Sequence, residues 1–210
     1  MPRAVIAQHQ RRRLLTAAAE VFADRGYTAT TVEDLVAAAE IGVGSFYSLC
    51  SGKEECLLAL YDEAIEQARQ VIEEALSAAG ETAWAEQVCI GLREILGLVA
   101  ERPLDARIAI VEIQTAGADA FQRYGETLDA VAIFLALGRE VAGAAKPLPQ
   151  SLEQTTVSGV AWLLHRYLSL DKAQSAPDLF EDLAALILEP YLGEDEARRA
   201  IARLSPAPAD

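Results

Sequence analysis

The sequence predicts an all-α fold, with a three-helix N-terminal domain followed by a larger helical domain. Three observations carry that reading. Alanine, leucine and glutamate dominate throughout, and apolar residues recur three and four positions apart rather than in alternation. Glycine and proline fall between these periodic stretches, where helices end and begin. Charge is also divided sharply along the chain. Residues 1–54 hold six basic and six acidic groups, while residues 55–210 hold 12 basic and 26 acidic and carry the whole net charge of −14. Such a step marks a domain boundary, giving domains 1–54 and 55–210.

The first helix is expected from about Gln10 to Arg25, with Leu15, Ala18 and Phe22 on one face and Gly26 capping its C-terminus. The second opens at Thr30-Thr31, where Thr30 with Glu33, or Thr31 with Asp34, makes a capping-box pair. Gly42 and Gly44 interrupt the pattern around a short third helix, roughly Val43 to Leu49, before Ser51-Gly52-Lys53-Glu54 starts a long fourth helix reaching about Ala78. Further helices are expected over Thr82–Glu101, Pro103–Thr115, Ala118–Ala144, Ser151–Leu170, Pro177–Leu192 and Glu194–Leu204. Pro103 and Pro177 suit first-turn positions. Lys146–Gln150 reads as a rigid connector and Ser205–Asp210 as a tail.

Composition excludes several classes. At 210 residues and 52% hydrophobic the chain can bury a core, yet it has no uncharged apolar run of the ~18 residues a membrane span needs. No signal-like block follows Arg11-Arg12-Arg13, so a cytoplasmic protein without membrane contact is expected. Cys50, Cys56 and Cys89 are odd in number and lack metal-ligand spacing, so neither disulfide nor zinc site is expected, and no cofactor. With two histidines, His9 and His165, and no nucleophile elbow, phosphate loop or zinc-protease pattern, no catalytic residue is assigned.

Two short helices joined by a glycine-containing turn and backed by a third form a helix-turn-helix, which presents its second member to the DNA major groove. The run from Arg13 through Phe22, Gly26, Tyr27, Thr31 and Leu35 to Ala39, continued by Gly44-Ser-Phe-Tyr47 and Lys53-Glu-Glu-Cys-Leu-Leu58, resembles the N-terminus of the tetracycline-repressor (TetR) family. The resemblance covers about residues 10–60. It implies a double-stranded DNA operator, a small-molecule effector enclosed by the middle helices, and a homodimer closed by the last two long helices. Thr31 sits at a helix start, where free amides can meet a phosphate. Tyr47 can reach the DNA backbone or pack on a thymine methyl. Lys53, at the start of the fourth helix, would hold a second phosphate.

The chain departs from the family pattern in two places. Ala39-Glu40-Ile41-Gly42 stands where Ala-Gly-Val-Ser is usual, and Leu49-Cys50 stands where His-Phe is common. The segment Gly42–Ser48 also lacks Arg, Lys, Asn and Gln, so bidentate hydrogen bonds to bases are unavailable from it. Phe46 is expected to face inward. Base contact then falls to Val43, Ser45 and Tyr47, with Gly42 also on the DNA-binding face and an arm containing Arg3, Arg11 and Arg12 supplying charge.

Polar and aromatic residues among apolar neighbours are the candidates for effector binding: Trp84, Arg93, Glu112, Phe121, Tyr124, Trp162 and His165. Glu112, beside Ile110, Val111 and Ile113, must be paired, solvated or reserved for a ligand. Leu163, Tyr167, Leu179, Leu183 and Ile187 are the candidate dimer face. The expected function is a ligand-responsive regulator, a repressor released by a mostly apolar effector. The rival is a helical binding or interaction protein whose helix-turn-helix is vestigial, which the overall acidity favours.

Overall fold

The computed structural model describes residues 3–142 and 147–204, with side chains from Gln8 onward. Eleven α-helices are described: α1 (Arg3–Arg25), α2 (Val32–Ala39), α3 (Val43–Leu49), α4 (Lys53–Ala79), α5 (Trp84–Glu101), α6 (Pro103–Ile110), α7 (Ala118–Ala136), α8 (Gly138–Ala142), α9 (Leu152–Ser169), α10 (Phe180–Leu192) and α11 (Glu194–Ala202). Two 3-10 segments, Glu112–Thr115 and Ala173–Leu179, intervene, and no strand occurs among the described residues. No described helix is long and apolar enough to cross a membrane. The side chain of Arg3, the end of the helix expected to reach Ala144, the start of the 146–150 connector and the Ser205–Asp210 tail lie outside the described residues.

Four helices differ from expectation. The first begins seven residues earlier, at Arg3 rather than Gln10. The segment expected as one helix over 103–115 breaks at Val111 into α6 and a 3-10 turn, which lets Glu112 enter the interior. The helix expected over 118–144 breaks at Leu137. There Gly138 lies under the Trp84 indole, where a Cβ would come within 2.4 Å of the ring. Pro177 sits inside a 3-10 segment rather than in the first turn of α10.

The chain divides into two compact units, residues 1–66 with 102–124, and residues 67–101 with 125–210. The first is larger than the charge-balanced 54 residues, because it takes in the start of α4 and the 102–124 segment. Its core joins Leu14, Ala18 and Phe22 of α1 to Leu35 of α2, Phe46 of α3, Leu57 and Tyr61 of α4, and Ile108 and Ile113. Fully buried side chains of this size each contribute ~1.5–3 kcal/mol by leaving water.

In the second unit α5 buries Val88, Cys89, Leu92, Leu96 and Val99, and packs against the 173–179 turn, α10 and α11. Trp84 meets Tyr191 edge-on at 5.0 Å and its Nε1 donates to the Phe134 carbonyl at 3.3 Å. Beside it Arg139 forks onto Glu153, Nε to Oε1 at 2.8 Å and Nη2 to Oε2 at 2.7 Å, while the Tyr191 hydroxyl donates to Oε1 at 2.8 Å. Hydrogen bonding from Arg139 holds the Glu153 carboxyl below its ordinary 4.5, against the opposing effect of burial. A carboxyl depressed on folding contributes stability that is complete above its unfolded value and is lost as pH falls through the folded one. Glu153→Gln should therefore lower Tm at neutral pH and flatten its decline in acid. Thermal melts across the acid range check this, and an unchanged acid limb would contradict it.

Candidate nucleic-acid interface

The turn between α1 and α2 seats the helix-turn-helix, which is formed by α2 and α3. Gly26 closes α1 with φ +78°, a left-handed conformation that glycine adopts without penalty, and its N–H donates to the Phe22 carbonyl at 2.9 Å. Thr30 is buried and its hydroxyl donates to the Gly26 carbonyl at 2.8 Å. Of the two possible capping pairs, Thr31 with Asp34 forms. The Asp34 N–H donates to Thr31 Oγ1 at 3.2 Å and the Thr31 N–H donates to Asp34 Oδ2 at 2.9 Å. Arg25 pairs with Asp34 at 2.7 Å. These bonds, led by the Thr31 N–H, hold the Asp34 carboxyl below its ordinary range. Thr31 is exposed beside the first turn of α2.

The departure at Glu40 has a local explanation. Glu40 takes the left-handed conformation (φ 51°, ψ 45°) usually given to glycine, at a cost of about 1 kcal/mol. Its N–H donates to the Ala37 carbonyl and that of Ile41 to the Val36 carbonyl, both at 3.2 Å, the paired bonds of a Schellman closure. Arg13 Nη2 reaches the Ala39 carbonyl at 2.8 Å and Glu40 Oε2 at 3.5 Å, placing a cation at the negative end of α2. Arg13 is therefore engaged with α2, and the local sequence pattern gave no sign of this tie.

Phe46 of α3 is fully buried and anchors the helix, as its expected inward orientation requires. Val43 and Tyr47, four residues apart, are 52% and 57% exposed. Gly42 starts α3 in an extended conformation without a side-chain cap, and Ser45 is half-buried. Leu49 packs on the core and Cys50 is buried, so the two positions that lack His-Phe serve the interior. Arg12 is exposed. Arg11 is half-buried and makes a small contribution to holding Glu55 below its ordinary range, where hydrogen bonding from the Ser51 N–H dominates.

Lys53 departs from its expected role. Its ammonium donates to the carbonyls of Tyr27 at 2.8 Å and Thr30 at 2.7 Å, approaches that of Thr28 at 3.5 Å, and lies 4.2 Å from the Tyr27 ring centroid. The donors expected to meet a phosphate are committed to the α1–α2 turn. Lys53 thus fixes the start of α4 against that turn.

Glu112 is corrected likewise. It is 4% exposed, its Oε2 accepts the Tyr27 N–H at 2.7 Å, and its Oε1 lies 3.3 Å from Arg107 Nε. The carboxylate is paired within the first unit and not held for an effector. Tyr27 is consequently a hub, with its amide on Glu112, its carbonyl on Lys53 and its ring tilted against Phe22 at 5.7 Å.

The other effector candidates fall in both units. Phe121 and Tyr124 belong to the first, and Phe121 is exposed; Trp84, Arg93, Trp162 and His165 belong to the second. Arg93 is exposed, with Nη1 at 3.4 Å from the Leu204 carbonyl, and Trp162 is 61% exposed with Arg166 against its ring, so neither lines an enclosed pocket. An open groove of about 430 Å³ in the first unit is lined by His9, Arg12, Arg13, Glu20 and Glu40, among others. Its charges and openness do not suit an apolar effector. Of the candidate dimer residues, Leu183 and Ile187 are buried within the chain, while Leu163, Tyr167 and Leu179 are half-buried. Leu186, part of the apolar face expected on α10, and Trp162, expected instead among the effector residues, are the exposed large apolar groups of α10 and α9.

Residues 14–60 match the family described as bacterial regulatory proteins, tetR family. No curated protein sequence matches the chain. Among solved structures, the transcriptional regulator FadR from Bacillus subtilis, in complex with stearoyl-CoA, is 16% identical over 87% of this chain and 98% of its own, with a TM-score of 0.68. The fatty acid degradation regulator FadR from Bacillus halodurans is 17% identical over 84% of this chain and 97% of its own, with a TM-score of 0.67. A TetR-like transcriptional regulator from Rhodococcus sp. RHA1 is 20% identical over 92% and 100%, with a TM-score of 0.64. At these identities the similarity establishes a shared all-helical fold. Residues 14–60, which hold the helix-turn-helix, thus match the tetR family of bacterial regulatory proteins, and the all-helical fold of the chain is shared with these solved regulators.

Proposed function

We propose that the chain is a ligand-responsive transcriptional regulator, a repressor, that binds a palindromic operator as a homodimer and is released by a small, mostly apolar effector. The observation that carries this reading is α3, anchored by the fully buried Phe46 while Val43 and Tyr47 stand exposed on a helix that the rest of its unit holds rigid. Thr31, Gly42, Val43, Ser45 and Tyr47 form the DNA-facing set, with Arg11 and Arg12 supplying charge for phosphates. The backbone at Lys53 borders this face, but its ammonium acts within the protein.

The dimer is assigned to the outer faces of α9 and α10. On α9 the exposed residues Thr155, Ser158, Gly159, Trp162 and Arg166 recur at helical spacing, and small groups around one tryptophan allow close approach of a second copy. Leu163, Tyr167 and Leu179 flank this face and Leu186 joins it. An apolar effector is supported by the stearoyl-CoA in the Bacillus subtilis FadR structure, a protein of the same fold. Trp84 and His165, both in the second unit, stay as candidates for its site.

Selection of duplexes from a random-sequence library, with light scattering on the free and bound protein, tests the proposal. A palindromic consensus and a mass of twice the 22.6 kDa chain are expected. A monomer, or a library with no enriched sequence, would instead support an interaction protein with a vestigial helix-turn-helix, the reading that the exposed Glu40 carboxylate beside α3 favours.

A further inference from the structure

DNA-binding helices usually read bases with guanidinium, ammonium or amide groups, and α3 has none: its residues are Val43, Gly44, Ser45, Phe46, Tyr47, Ser48 and Leu49. Its polar groups are modest and partly engaged, since the Ser48 hydroxyl donates to the Ser45 carbonyl at 2.7 Å. Its exposed bulk is the isopropyl group of Val43 and the ring of Tyr47. The only apolar feature on a base edge in the major groove is the C5-methyl of thymine. Against a guanine or cytosine edge the same side chains would strip water from donors and acceptors without replacing it. Resting on the DNA-binding reading, we propose that α3 recognises its operator through thymine methyl groups, with Val43 as the specificity-determining residue and the Tyr47 ring beside it.

The geometry sets the spacing. Residues four apart lie on one helix face about 6 Å apart along the axis, and base pairs repeat about every 3.4 Å, so the two methyls belong to base pairs about two steps apart. Gly44 lies between them. A Cβ there would meet nothing within 4 Å, so no contact inside the chain requires glycine. Its bare backbone suits close approach to an outside surface, as a helix pressed into the groove needs.

Replacing thymine by deoxyuridine removes the methyl and leaves the hydrogen-bonding edge intact. The test uses the full chain and the duplex enriched from a random thymine-containing library, remade with deoxyuridine throughout both half-sites. Each lost methyl should weaken binding about fourfold, the ~0.8 kcal/mol of one buried CH₂ at 1.4 kcal/mol per decade. Two methyls in each of two half-sites predict a thymine-to-deoxyuridine ratio of about 250. Val43→Ala, a change at an exposed position, should keep the wild-type Tm and cut that ratio to about 16. Equal binding of both duplexes by the wild type would overturn methyl recognition, and an unchanged ratio in Val43→Ala would overturn the role of Val43. Failure to bind any library duplex at low salt would instead overturn the DNA-binding reading on which the inference rests.

Discussion

Glu112→Ala is expected to destabilise the unit that holds the helix-turn-helix by roughly 3 kcal/mol, the largest effect foreseen for any single change here. The carboxylate is buried and both oxygens are engaged, one by the Tyr27 amide at 2.7 Å and the other by Arg107 at 3.3 Å. Truncation strands a buried N–H and removes one ion-pair partner of Arg107, whose side chain is 27% exposed. Breaking a buried pair costs ~3–5 kcal/mol, and the partial solvation of Arg107 places this case at the lower end. Glu112→Gln keeps an acceptor for Tyr27 and loses the ion pair, so it should fall between, at about 1–2 kcal/mol. Urea unfolding of the three proteins measures the series, and the exchange rate of the Tyr27 amide should rise most in the alanine variant. A loss below ~0.5 kcal/mol in Glu112→Ala would remove the tie from the account.

Lys53→Met is expected to cost about 2 kcal/mol, because the Tyr27 and Thr30 carbonyls lose a charged donor while the aliphatic stem is retained. Its effect on DNA separates two roles. An ammonium on a phosphate would, when removed, reduce the salt slope of binding by about one unit per contact. An ammonium on the α1–α2 turn leaves the slope unchanged and weakens binding only by loosening the seat of α4. The hydrogen bonds in the structure predict the second outcome. A flattened slope with unchanged stability would restore the phosphate contact that sequence pattern alone suggested.

The contrast shows which features local pattern encodes. Helix type and the Gly26 cap are set by neighbours within a few residues and were legible, and the capping box was legible down to two pairs, Thr30–Glu33 and Thr31–Asp34, of which the second forms. So was the burial of Phe46, the wholly apolar aromatic of α3, beside Tyr47 whose hydroxyl can stay in water. The ties that stiffen the site are different. Tyr27 meets Glu112 across 85 positions, and Arg13 meets Ala39 and Lys53 meets Tyr27 across 26. Sequence could show that the Glu112 carboxylate needed a partner, but not where the partner lay. On α10, Leu183, Leu186 and Ile187 share one helical stripe, so periodicity alone does not tell which of them faces inward. Packing chose Leu183 and Ile187, leaving Leu186 outside.

The central claim is that the first unit is a working DNA-binding module. It is tested most directly by the salt dependence of affinity for the library-selected duplex, measured by fluorescence anisotropy on the intact protein. A dimer neutralising about six phosphates should lose about a thousandfold in affinity between about 50 and 200 mM salt, and should still prefer that duplex to a scrambled one throughout. No binding at the low-salt end, or equal affinity for the selected and scrambled duplexes at every salt concentration, would contradict the account.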